Sequence, residues 1–173
     1  KKMIKKKWSK INLMNIKIIQ KKSPNFDKRP QGVKISSIII HYTGMKTFNQ
    51  AYKRLCDKKS KVSSHYLIGR DGRIINLVDE KNRAWHAGVS HWKGVDNLND
   101  RSIGIELENP GHEFGYIPFS RKQMSSLVFL CKKIKNKYNI KADWVLGHSD
   151  ISPGRKLDPG EKFNWNLIKR IFK

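Results

Sequence analysis

The chain has 173 residues and a formal charge of +23, from 37 Lys and Arg against 14 Asp and Glu. That length supports one domain with a real core, and a hydrophobic content of 38% with 10% aromatics excludes a disordered chain. No run of about 18 apolar residues occurs, which excludes a membrane-spanning helix.

Residues 1–15, KKMIKKKWSKINLMN, form a basic N-terminal arm ahead of a folded domain over 16–173. Asn12, Asn15 and Lys17 interrupt the apolar core that a signal peptide needs. The first residue is Lys1 and not Met, as after trimming of an export signal. With the basic arm, this gives the periplasm or cell envelope as the expected location and the cytoplasm as the alternative.

The apolar run Ile16 to Ile19 precedes a polar, Pro-containing connector, SPNFDKRPQG. ISSIIIHY, 35–42, predicts a strand buried on both faces. Phe48, Ala51, Tyr52 and Leu55 fall at helical spacing. HYLIGR and RIINLVDE predict two strands joined by a tight turn at Asp71-Gly72. Residues 81–100 read as a long irregular segment of the kind that carries function. SIGIELEN, 102–109, alternates Ile103, Ile105 and Leu107 with Gly104, Glu106 and Glu108, a strand pattern. Ser120 caps a long amphipathic helix reaching Tyr138. A short strand, WVLGH, runs into LGHSDISPGRKLDPG, 146–160, which reads as neither helix nor strand, and NWNLIKRIFK closes the chain as a helix. The expected architecture is a single α/β domain, a central mixed sheet flanked by helices.

The positive charge admits two readings. Lysines spread over every segment fit a coding bias toward Lys, Ile and Asn, while a surface attracted to acidic polymers is the functional alternative. No stacking or groove-reading motif supports nucleic acid as a partner. Cys56 and Cys131 share no metal or redox spacing and read as small apolar residues on helices.

Of six histidines, His41 and His148 stand out because each follows an apolar strand where the chain leaves the sheet. A catalytic zinc takes three protein ligands and keeps one open position. The third ligand would be an acid of the 146–160 loop, Asp150 or Asp158; spacing alone leaves the choice open. Glu106, in mid-strand, is the acid best placed to take a proton from water, whereas Glu108 reads as solvent-facing. Lys156, between the two proposed ligands, could stabilise an oxyanion. Asp150 and Arg155 read as turn and surface residues.

HYTG at 41–44, SSHYLIGRDG at 63–72, AWHAG at 84–88, NDRSIGIELEN at 99–109 and GHSDISPGRKLDPG at 147–160 together resemble the type 2 N-acetylmuramoyl-L-alanine amidases. The resemblance covers roughly residues 16–168. It implies zinc, one ion per chain, held by His41, His148 and Asp158, with Glu106 as general base and Lys156 as electrostatic stabiliser. It also implies that Trp85 and His86 wall the substrate groove, with Tyr42, Lys61, His65 and Asn99 as further groove candidates; His65 reads alternatively as a packed strand residue.

The implied reaction is hydrolysis of the amide joining N-acetylmuramic acid to L-alanine of the stem peptide, in peptidoglycan or its fragments. The expected partner is peptidoglycan or a muropeptide, bound by a monomer. The competing function is a non-catalytic peptidoglycan-binding module, with a basic nucleic-acid-binding protein as a remote alternative.

Overall fold

The computed structural model describes residues 16–173; the basic arm, 1–15, lies outside the described residues. Ten strands follow in chain order: β1 (Ile18–Gln20), β2 (Phe26–Lys28), β3 (Ser37–Tyr42), β4 (Tyr66–Ile68), β5 (Ile74–Asn76), β6 (Asn82–Ala84), β7 (His91–Trp92), β8 (Val95–Asp96), β9 (Ser102–Leu107) and β10 (Val145–Gly147). Four α-helices accompany them: α1 (Phe48–Cys56), α2 (Arg121–Tyr138), α3 (His148–Ile151) and α4 (Trp165–Lys169). Six strands form one sheet in the order β1-β5-β4-β9-β3-β10. Only β4 and β5 pair antiparallel, so the sheet is mixed. The fold class is α/β, as the alternation of elements implied.

The β-branched run of β3 explains its central place. Ile38, Ile39 and Ile40 are fully buried because both faces of the sheet are covered. Ile38 and Ile40 join Ile103, Ile105, Leu107 and the apolar stripe of α2, Leu127, Leu130, Cys131 and Ile134. Ile39 faces the other way, with Leu146, Leu98 and Ala87. Period two therefore sends His41 to that second face, away from α2. Its cross-strand neighbour is Glu106, aligned with it in the parallel β3–β9 register.

Both long helices begin as their sequences dictate. Thr47 and Gln50 make a reciprocal capping box on α1, and Ser120 Oγ accepts from Gln123 N on α2. Glu80 fastens α2 to the sheet, accepting hydrogen bonds from Tyr66 Oη at 2.7 Å, Tyr138 Oη at 2.7 Å and Lys137 Nζ at 2.6 Å. Leu127→Ala should cost about 2–5 kcal/mol, since the residue is fully buried in this core; urea denaturation with the midpoint well below wild type is the expected result.

Several sequence expectations are corrected. The connector 23–32 contains β2, and residues 81–100 are not irregular. There β6 pairs with β2, and β7 and β8 form a hairpin over Lys93-Gly94, both at positive φ. The β4–β5 turn runs over Gly69–Arg73, longer than a two-residue turn. The segment 146–160 opens with the end of β10 and then one helical turn, α3, because Asp150 Oδ2 accepts from Gly147 N at 2.8 Å and closes its first turn. The terminal helix is limited to Trp165–Lys169. Cys56 and Cys131 are both free thiols, in side-chain clusters on opposite faces of the sheet.

Candidate metal centre and catalytic cleft

The C-terminal ends of β3 and β10 deliver His41 and His148 to one place, because the two strands are parallel neighbours. The return of the 152–160 loop adds Asp158, and Ser149 N donates to the Asp158 carbonyl to fix that return. His41 Nδ1 lies 3.0 Å from His148 Nδ1, and Asp158 Oδ2 lies 2.9 and 3.1 Å from the two. All three side chains are buried. Two imidazoles and one carboxylate that converge in this way form a group able to hold a metal ion.

The donor set fits zinc. Ligand atoms held at about 2.0–2.2 Å in a tetrahedral arrangement stand about 3.3 Å apart, close to the separations found. Each imidazole has its other nitrogen engaged: His41 Nε2 lies 2.9 Å from His86 Nδ1, and His148 Nε2 lies 2.9 Å from the Ala87 carbonyl. Both Nδ1 atoms are thereby turned inward.

Electrostatics favour the same state. Burial, then the neighbouring His148, lowers the pKa of His41 to about 4, so it is neutral at pH 7. For Asp158, burial pushes upward, but the adjacent His148 and His41 prevail and hold the carboxylate well below its usual range. Glu106 moves the other way. Burial, reinforced by the negative charge of Asp158 and only partly offset by Lys156, raises its pKa well above the usual carboxylate value. Its Oε2 is shut off from solvent and has no hydrogen-bond partner.

These groups open into a cleft of about 620 Å³ lined by His41, Tyr42, Trp85, Glu106, Lys156 and Asp158 among others. Tyr42 Oη lies 2.9 Å from His112 Nδ1, a cleft residue that the sequence did not single out. His86 also reaches the cleft lining, but it is only 9% exposed and its two ring nitrogens face His41 and Ser102.

Other groove candidates fall elsewhere. His65 is fully buried just before β4, with Nδ1 accepting from Gly104 N and Nε2 beside Arg29 and the Asn82 carbonyl, outside the cleft lining. Asn99 Oδ1 accepts from the backbone amides of His86 and Ala87 and does not line the cleft. Lys61 is exposed at positive φ outside the lining, although its neighbours Val62 and Ser63 belong to it. Glu108 is not solvent-facing: it is half-buried and accepts from Phe48 N and Arg70 N, which seats the start of α1. Arg155 is exposed, as expected of a surface residue, and its guanidinium also donates to the Ala87 and Val89 carbonyls and to Ser152 Oγ.

With this geometry in view, comparison with known proteins is informative. A family model described as N-acetylmuramoyl-L-alanine amidase matches residues 31–161. The chain is 41% identical over 167 residues to the N-acetylmuramoyl-L-alanine amidase AmiD of Escherichia coli, covering 87% of this chain and 59% of that protein. It is also 41% identical over 164 residues to the 1,6-anhydro-N-acetylmuramyl-L-alanine amidase AmpD of Haemophilus influenzae, covering 84% of this chain and 87% of that one. Among solved structures, an AmpD derivative superposes with a TM-score of 0.79 at 30% identity, over 90% of this chain and 94% of the other. AmiD from E. coli in complex with anhydro-N-acetylmuramic acid-L-Ala-D-γ-Glu-L-Lys superposes with a TM-score of 0.73 at 40% identity, over 83% and 60%. The chain thus spans about three fifths of AmiD and most of AmpD. The family match over residues 31–161, the identities and the shared fold agree, and the chain belongs to the N-acetylmuramoyl-L-alanine amidase family.

Proposed function

We propose that this chain is a zinc amidase that hydrolyses the bond between N-acetylmuramic acid and L-alanine in muropeptides, including the anhydro-N-acetylmuramyl peptides named in its relatives' complexes. The observation that carries the reading is the convergence of His41, His148 and Asp158 beside Glu106, whose buried oxygen has no partner of its own. In this reading His41 Nδ1, His148 Nδ1 and Asp158 Oδ2 hold the ion. When bound, zinc supplies a Lewis acid that acidifies water toward neutrality and polarises the amide carbonyl.

The chain's own residues do the rest. Glu106 takes the proton of the attacking water and delivers it to the leaving nitrogen, so that the amine departs neutral. The unpartnered Oε2 is free for this task, and the raised pKa brings proton uptake nearer the working pH. Lys156, half-buried on the cleft wall, places its ammonium where the carbonyl oxygen gains negative charge. Tyr42 and Trp85 supply aromatic surface for the sugar and peptide.

The test is incubation of purified protein with a muropeptide, with and without a chelator, followed by mass spectrometry for free stem peptide. Chelator-sensitive release is expected. Binding without release by zinc-loaded protein would instead support a non-catalytic recognition module.

The cleft continues past Gly44, Met45 and Phe114 into a basic annex lined by Lys46, Lys53, Arg54 and Lys59. Lys53 and Lys59 form no ion pair among the described residues. A γ-linked Glu carries a free α-carboxylate, so the annex suits the stem peptide. Lys53→Gln with Lys59→Gln should raise KM for a free-acid tripeptide substrate about two- to fivefold, the worth of an exposed ion pair. An amidated substrate should show no such change in steady-state kinetics.

One chain supplies every group of the site, which supports action as a monomer. A polycationic surface suits an envelope built of anionic polymers, and the same proposal places the chain there. Immunodetection after fractionation separates envelope from cytoplasm.

A further inference from the structure

We propose that the turn Trp85–Gly88 positions both imidazoles of the metal centre, with His86 setting His41 and the Ala87 carbonyl setting His148. This inference rests on the metal reading above, but it assigns His86 to the support of the ligands instead of the substrate wall. His148 Nε2–H can only donate to the Ala87 carbonyl, 2.9 Å away, so its Nδ1 keeps a lone pair for the ion. The His41 side is a two-step chain: Nε2 lies 2.9 Å from His86 Nδ1, and His86 Nε2 lies 3.1 Å from Ser102 Oγ.

Only one polarity of that chain suits a cation. If His86 donates from Nε2 to Ser102, its Nδ1 accepts from His41 Nε2–H, and His41 Nδ1 is left free. The reverse polarity protonates His41 Nδ1 and points a hydrogen at the ion's position. Asp158 Oδ2, 2.9 Å from His41 Nδ1, favours that reverse state when no metal is present. His86 therefore counters a pull that is built into the ligand set itself.

The turn is held from three sides. Asn99 Oδ1 accepts from the amides of His86 and Ala87 at 3.1 and 2.8 Å. Arg155 Nη2 donates to the Ala87 carbonyl at 2.9 Å. Behind them the half-buried Arg29 guanidinium donates to the carbonyls of Asn99, Asp100 and Ser102, fixing the main chain that carries both Asn99 and Ser102. Gly104 provides the space: a Cβ there would lie 2.4 Å from His86 Cγ and Cδ2. In mid-strand, a glycine that admits a ring marks a place where another group must approach closely.

The test is zinc affinity by chelator competition, together with ring ¹⁵N shifts of His41 in metal-free protein. His86→Ala should weaken zinc about 10–100-fold, the usual cost of losing a partner that orients a ligand, and should move the His41 proton from Nε2 toward Nδ1. His86→Asn, whose amide oxygen can stand where Nδ1 was, should restore much of the affinity. Ser102→Ala removes only the outer link, leaves the turn intact and should weaken zinc about fivefold; it carries the test if His86→Ala does not fold.

Zinc affinity within twofold of wild type in a folded His86→Ala protein would overturn the proposal. A raised KM with unchanged zinc affinity would do the same, by returning His86 to the substrate wall. Because the ¹⁵N measurement needs no metal, an unchanged His41 tautomer also overturns it. A tautomer shift in a protein that binds no zinc would instead support the positioning role and count against the metal reading.

Discussion

Asp158→Ala is expected to abolish chelator-sensitive release of stem peptide and to weaken zinc binding by more than about 100-fold. The expectation follows from what Asp158 alone contributes. It is the one charged member of the ligand set, and its Oδ2 lies within 3.1 Å of both imidazole Nδ1 atoms. Burial by itself would keep this carboxyl protonated, but the two histidines hold it ionised. Without it, two imidazoles 3.0 Å apart would face a dication in a buried site with no compensating negative charge. The loss should therefore exceed the 10–100-fold that follows removal of a mere supporting partner. Asp150→Ala is the control from the same loop. Asp150 bonds only to Gly147 N at the start of α3, and its loss should leave zinc affinity near wild type. Chelator competition reads the affinity and mass spectrometry the release. Chelator-sensitive cleavage that survives in Asp158→Ala would sink the ligand assignment.

The strands that build the centre were legible because their chemistry is local. The β-branched run Ile38–Ile40, short and followed by turn residues, reads as a covered strand, and it lies in β3. Alternation in SIGIELE placed Ile103, Ile105 and Leu107 in the core beneath α2, with Glu106 on the opposite face. What could not be read was which strand lies beside which. The pairing of β3 with β9 joins residues more than sixty positions apart, and only that register sets His41 opposite Glu106. Spacing likewise left Asp150 and Asp158 as rivals. Family resemblance pointed to Asp158, and the loop's return shows Asp150 occupied with a backbone amide.

The misplaced residues share one physical cause. His65, Asn99 and Glu108 are polar residues whose partners are main-chain groups contributed by distant segments. A sequence displays a polar side chain but not the carbonyl or amide that will satisfy it. For this reason a buried histidine such as His65 reads on sequence like a groove contact. Gly104 was the one visible clue, since a glycine inside a strong strand marks close approach by another group.

Glu106→Gln should lower the rate of release by about 10²–10⁴, the range for a positioned general base, while leaving zinc affinity close to wild type. Glutamine keeps the shape of the side chain and removes only the site that takes up the proton. The same substitution makes a second prediction, for stability. Burial, and next the charge of Asp158, raise the folded pKa of Glu106 well above 4.5. The folded protein thus binds this proton more tightly than the unfolded chain does. The stability contributed by the protonated carboxyl is complete below about pH 4.5 and is lost as pH rises through the folded value. Glutamine is neutral at every pH and suffers no such loss. In metal-free protein the melting temperature of Glu106→Gln should therefore gain on wild type as pH rises from 4.5 to 8, even as catalysis disappears. Activity within tenfold of wild type would place the base elsewhere. A difference in melting temperature that does not change with pH would mean that Glu106 ionises without strain in its buried position, leaving the unpartnered oxygen without the energetic cost that catalysis would justify.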